Sequence, residues 1–165
     1  MKPLFCLILS NIMVSKFNNI PLFEGLNENT LQLLEPLFET CTCHKGTIFE
    51  QGTPAIHIYL LIEGSVDILY KPYDSPPIII TNVKSGGIFG WSAIADNTLY
   101  TSGATCLGES KAVRIQGKAL RELCIEHPEA GEILLDRFAK SVSKRWHNAH
   151  AQVREILSQG ISNNL

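Results

Sequence analysis

The sequence predicts a mainly β domain held between two helical ends. Three observations carry that reading. Between about residues 38 and 116, short apolar runs alternate with period two. Glycines at 46, 52, 64, 86, 87, 90, 103, 108 and 117 punctuate those runs. On both sides of this stretch the apolar period becomes helical. Short strands joined by glycine-rich turns suit a sandwich, a barrel or a β-roll.

Taken in order, residues 1–19 read as an N-terminal extension. Lys2 is followed by an apolar run from Leu4 to Val14, broken by Ser10 and Asn11. A membrane helix needs ~20 apolar residues, so the run predicts no membrane span. No small-x-small cleavage pattern follows it. A start at Met13 would leave a chain beginning Met-Val-Ser-Lys; otherwise the run is an apolar arm packed on the domain. Residues 20–37 read as helical, with Asn27 or Asn29 as cap and Leu31, Leu34 and Leu37 at helical spacing. Pro36 ends or bends that segment.

Ile56, Ile58, Leu60 and Ile62 alternate with His57, Tyr59, Leu61 and Glu63 as a strand. Glu63-Gly64-Ser65 is the turn into a second strand carrying Val66, Ile68 and Tyr70. Ile78-Ile79-Ile80, after Pro76-Pro77, reads as a buried strand, and Thr101–Cys106 and Lys111–Ile115 as two more. Leu120, Leu123 and Cys124 belong to a short amphipathic helix. A long helix then opens at Pro128 and runs to Gln159, before a tail at 160–165. Its ~30 residues would span ~45 Å. The domain proper is thus 20–127 and the long helix 128–159.

Leu135, Phe138, Val142, Trp146, Ala149, Val153 and Ile156 form an apolar stripe on that helix, opposite Arg137, Lys140, Lys144 and Arg154. A helix this long should outrun a β domain of ~100 residues, whose radius of gyration is ~13 Å. The stripe therefore predicts a homodimer seam, with Phe138, Val142, Ala149 and Val153 facing a second copy.

Composition narrows the function. The chain has 165 residues, 45% hydrophobic and 18% charged, which is one globular domain. Its formal charge of −2 lacks the basic excess of a dedicated nucleic-acid binder. Ile161–Leu165 hold no recognition helix, so direct DNA reading is not expected. The cysteines, Cys6, Cys41, Cys43, Cys106 and Cys124, are odd in number and irregular in spacing, which points to a reducing cytoplasm. Cys41-Thr42-Cys43-His44 lacks a zinc spacing, and no metal is expected there. Catalysis is not expected either. His44 and His57 are the only histidines of the β region, too few for cupin-like metal chemistry, and Ser65 and Cys106 stand in no nucleophile motif.

The run Lys45-Gly46-Thr47-Ile48-Phe49-Glu50-Gln51-Gly52, then Ile56–Gly64 and Ser65-Val66-Asp67-Ile68, resembles the cyclic-nucleotide-binding domains. Pro21–Leu26 is similar to that family's N-terminal helical element, and Gly87-Ile88-Phe89-Gly90 to the opening of its phosphate-binding cassette. The resemblance covers residues 20–157. It implies a double-stranded β-helix, that is, a jelly-roll-like β-roll of eight strands, with a cassette helix and a long C-terminal helix. It also implies a regulatory role akin to the sensory half of catabolite-activator-type regulators.

In the family an Arg and a Glu of the cassette hold the phosphate and the ribose hydroxyl. Here Trp91 stands at the Glu position, and the Arg position falls on Leu99, Tyr100 or Ser102. Residues 85–110 contain no Lys or Arg but do contain Asp96 and Glu109. Trp91-Ser92-Ala93 and Tyr100-Thr101 match a subgroup with a Phe-Gly-Trp-Ser-Ala cassette. The pocket residues are then Phe89, Gly90, Trp91, Ser92, Ala93, Tyr100, Thr101 and Ser102, with Thr105 as a further polar group. Trp91 either lines an apolar cavity or plugs it as core. The function expected is a non-catalytic sensor that needs no cofactor. It takes an unidentified small-molecule effector, or makes protein contacts, rather than binding cAMP or cGMP in the usual mode. A cyclic-nucleotide signalling protein and an interaction module with a vestigial pocket are the alternatives.

Overall fold

The structure, a computed structural model, describes residues 22–143 apart from Ser75 and Asp96. The chain enters through a turn at 22–25 and helix α1 (Glu28–Leu34). Asn27 caps α1, its side-chain oxygen accepting from the Thr30 N–H at 2.8 Å. The continuous helix expected over 20–37 is therefore shorter. Pro36 falls in a 3-10 turn (Glu35–Leu37), and the chain leaves it extended at Phe38.

Eight strands follow, in two four-stranded antiparallel sheets. The first orders β1 (Glu39–Cys43), β8 (Ser110–Gln116), β3 (His57–Glu63) and β6 (Ile88–Phe89). The second orders β2 (Gly46–Phe49), β7 (Gly103–Cys106), β4 (Ser65–Tyr70) and β5 (Ile78–Lys84). This is the β-roll that the resemblance implies.

Two apolar cores lie on opposite faces of the first sheet. Ile58 and Leu60 of β3 point to a helix-side core with Leu34, Val113, Ile115, Leu120, Leu134 and Phe138. Tyr59 and Leu61 point the other way, between the sheets, and meet Phe49, Val66, Ile68, Phe89, Tyr100 and Cys106. Both faces of β3 are covered, so its alternation is between two interiors rather than between interior and water. β6 is divided likewise: Ile88 joins the helix side and Phe89 the roll interior.

One expectation fails outright. Ile78, Ile79 and Ile80 are exposed by 54, 60 and 42%, not buried. β5 is an edge strand paired only to β4, and the register slips between Ile68 and Leu69, so no second layer reaches this end.

Helix α2 (Gly117–Glu126) returns across the first sheet, and helix α3 occupies residues 128–143, opening at Pro128 as expected. Ala130, Leu134 and Phe138 are the face of α3 that packs on the chain's own core. Phe138, expected on a partner-facing seam, is only 2% exposed. Leu135 is 41% exposed and Val142 half-buried, so the two flank that packed face. Arg137, on the side opposite the stripe, is half-buried, and its guanidinium donates to the Leu22 and Glu24 carbonyls at 3.0 and 2.5 Å. The expected continuation to Gln159, with Trp146, Ala149, Val153 and Ile156, lies outside the described residues, as does the 1–19 extension. Among the described residues no helix is long and apolar enough to cross a membrane.

Candidate ligand site

The cassette begins where β6 ends. Gly90 has φ of +77°, and a Cβ there would lie 2.7 Å from the His57 carbonyl oxygen, so only glycine lets this turn pass so close to β3. Trp91–Ala93 form a 3-10 turn. The chain crosses the mouth of the roll and docks on the segment after β2. Tyr100 N–H donates to the Thr53 carbonyl at 2.9 Å, Gly52 N–H to the Tyr100 carbonyl at 2.8 Å, and Ala55 N–H to the Thr98 carbonyl at 2.9 Å. The two arms of the cassette are clasped by Ser92, whose Oγ accepts from the Thr101 N–H at 3.2 Å and lies 3.2 Å from Thr101 Oγ1. α2 fixes the cassette from behind. Arg121 donates to the Ala93 carbonyl, and a Cβ on Gly117 would sit 1.9 Å from that same oxygen.

The predicted pocket residues therefore diverge. Phe89 and Tyr100 point into the roll. Trp91 turns to the helix side, where its ring lies 6.3 Å from that of Phe138. Ser92 and Ala93 are buried, Ser102 is half-buried, and Thr101 is exposed. The structure thus brings Phe89 and Tyr100 together, and it joins Trp91 to the C-terminal helix instead.

Inside the roll, Phe89 and Tyr100 meet two rings that sequence reasoning did not single out, Phe49 and Tyr59. Phe49 stacks on Tyr100 at 3.8 Å between centroids, and Tyr59 on Phe89 at 4.9 Å. Phe49 also stacks against Tyr59 at 5.7 Å and Phe89 at 6.2 Å. Phe49 sits in the Gly46–Gly52 motif and Tyr59 at an odd position of β3, so their placement was readable once that odd face is seen to be buried. The Tyr100 hydroxyl donates to the His57 carbonyl at 2.7 Å and accepts from the His57 N–H at 3.0 Å. Burial pushes the phenols of Tyr100 and Tyr59 up, and burial together with Arg114 pulls the His57 imidazole down.

Charge is placed elsewhere. Leu99, a candidate for the family's Arg position, is 47% exposed and bridges to Pro54. The lysines flanking the cassette are engaged: Lys84 Nζ donates to Ser65 Oγ at 3.1 Å, and Lys111 pairs with Glu63 at 2.9 Å. An open cleft of about 410 Å³ lies between the edges β1 and β2, lined by Cys41, Cys43, His44, Lys45, Tyr59 and Arg114 among others. Arg114 there pairs with Glu39 at 2.9 Å. A second groove, about 280 Å³, runs over Thr47, Leu69, Lys71, Gly103 and Thr105. Of the predicted pocket residues only Thr105 lines either, in the second groove. Among the described residues no three His, Cys, Asp or Glu side chains come together as a metal site.

The model of the family "Cyclic nucleotide-binding domain" matches residues 44–127. The CRP-like cAMP-activated global transcriptional regulator of Mycobacterium tuberculosis is 28% identical over 128 residues, 77% of this chain and 57% of that protein. The chain thus spans under three fifths of that relative's length. A crystal structure from Geobacter metallireducens, of a protein assigned as cyclic nucleotide-binding, is 28% identical with a TM-score of 0.71, over 81% of this chain and 97% of that one. The regulatory subunit of a cAMP-independent protein kinase A from Trypanosoma brucei, 15% identical, shares the fold alone, at a TM-score of 0.71 over 89% of this chain and 52% of that one. With the family model covering residues 44–127, strand β2 through helix α2, the chain belongs to the cyclic nucleotide-binding domain family.

Proposed function

We propose that this chain is a cytoplasmic, non-catalytic regulatory domain that does not take cAMP or cGMP in the family's usual mode. Stacked rings in the roll interior carry this reading. Tyr100, one of three candidates with Leu99 and Ser102 for the family's cassette Arg position, is 5% exposed, stacked on Phe49 and tied to His57. A cyclic nucleotide entering there would have to expel that ring. It would also lose any cassette cation, since residues 85–110 hold no Lys or Arg. An anion moved from water without a partner is penalised by several kcal/mol.

The regulatory output runs through α3. Trp91, next to the cassette glycine, rests on Phe138, so any effector or protein contact that shifts the cassette also shifts the helix. That helix, through Leu135, Val142, Ala149 and Val153, pairs with a second copy of the chain. A thermal melt with millimolar cAMP or cGMP tests the ligand reading. Saturation to 100 times Kd would stabilise the fold by ~2.7 kcal/mol. At ~2–4 °C per kcal/mol that is a shift of ~5–11 °C. We expect no shift, and a rise in that range with either nucleotide overturns the reading.

A further inference from the structure

The cleft between β1 and β2 holds a pair of thiols that the regulatory reading leaves unused. Cys41 and Cys43 are two residues apart on β1, so their side chains share the face that looks into the roll. Both pack at the margin of the interior core, are half-buried, form no disulfide and line the cleft. Only Thr42, which alternates to the other face, separates them along the strand. Cys41 Sγ donates to the Ala112 carbonyl at 3.5 Å. Arg114 lines the same cleft and acts on both sulfurs as a positive charge.

From this juxtaposition we propose that Cys41 and Cys43 form a two-thiolate site for a soft monovalent cation of the copper(I) class. Two sulfurs on one strand face suit a two-coordinate thiophilic ion. Zinc wants three or four protein ligands, and the described residues assemble no such set here. The step balances as two thiols plus Cu⁺ giving a bis-thiolate complex of charge −1 plus two protons released to solvent, with no change of oxidation state. Arg114 then faces the resulting anion. The thiol chemistry separates this from peroxide sensing. A thiophilic cation displaces the thiol protons itself and needs no oxidant.

The test is anaerobic titration of the full chain with copper(I) against a chromophoric competing chelator. One copper per chain is expected. Loss of a single outer-shell partner of a metal ligand already costs 10–100-fold in affinity, so Cys41→Ser and Cys43→Ser should each weaken binding by about 100-fold or more. Cys124→Ser and Cys6→Ser should bind as the parent does. Zinc at equal concentration should not compete. Circular dichroism reports whether each variant is folded. Should Cys41→Ser or Cys43→Ser fail to fold, phenylarsine oxide on the unsubstituted chain supplies the readout. It condenses with two adjacent thiols, losing water, and should block alkylation of Cys41 and Cys43 together. Copper binding unchanged in the folded Cys41→Ser/Cys43→Ser chain, absence of binding in the parent, or an arsenical adduct elsewhere overturns the proposal.

Discussion

Replacing Tyr100 by phenylalanine removes one oxygen and leaves the ring, which separates the two things that residue does. The hydroxyl satisfies the His57 N–H and carbonyl at 3.0 and 2.7 Å beneath a half-buried strand end. Leaving a buried donor without its partner costs about 1–3 kcal/mol, so about 2 kcal/mol is expected for Tyr100→Phe. Tyr100→Ala also deletes a ring that is 5% exposed and stacked at 3.8 Å on Phe49. Truncating a large buried aromatic costs about 3–5 kcal/mol in addition, for a sum of about 5–7 kcal/mol. A domain of this size has about 5–15 kcal/mol in total. The phenylalanine variant should thus melt about 4–8 °C lower but remain folded, while the alanine variant should be near its unfolding threshold at room temperature. Thermal and urea melts followed by circular dichroism measure both. A Tyr100→Ala chain no less stable than Tyr100→Phe would show that the ring fills nothing, and the occluded-roll reading would fall with it.

Three further outcomes follow from the same geometry. Burial raises the phenols of Tyr59 and Tyr100, so the unfolded chain loses these protons first: stability is full below about pH 10, the ordinary tyrosine value, and declines as pH rises above it. Urea midpoints at pH 8 and pH 11 check the sign, and a Tyr59→Phe chain should lose part of the decline. Gly117→Ala gains about 1 kcal/mol of helix propensity but drives a methyl to 1.9 Å from the Ala93 carbonyl oxygen, so a net loss of about 2 kcal/mol or more is expected; a higher melting temperature would show that the cassette is free to move away. Val142→Glu, on the rim of the packed face, should leave the roll folded and convert a dimer to a monomer by light scattering. An unfolded variant would mean that Val142 serves the chain's own core, and a parent already monomeric at high concentration would end the dimer proposal.

Local chemistry was legible from the residues alone. Asn27 caps because its side chain reaches the next turn, Pro36 stops a helix because it lacks an N–H, and Pro128 opens one for the same reason. The glycine-turn pattern placed β3, β4 and the cassette, since Gly52, Gly64, Gly86 and Gly90 take a positive φ that other residues resist. The missing cassette cation was equally plain, because charge is a property of composition. Tertiary packing decided what remained. Alternation in β3 says that two faces differ, yet not that both are interiors, because a second core exists only once α1, α2 and α3 cover the first sheet. Ile78–Ile80 have the composition of a buried strand and lie exposed because β5 ends a sheet with no layer above it. Trp91 sits beside the pocket in sequence, but the Gly90 turn sends its ring to Phe138, while Tyr100, nine residues on, closes the roll. Periodicity reports which residues share a face; which faces find partners depends on the sheet order, and that is set by contacts dozens of residues apart.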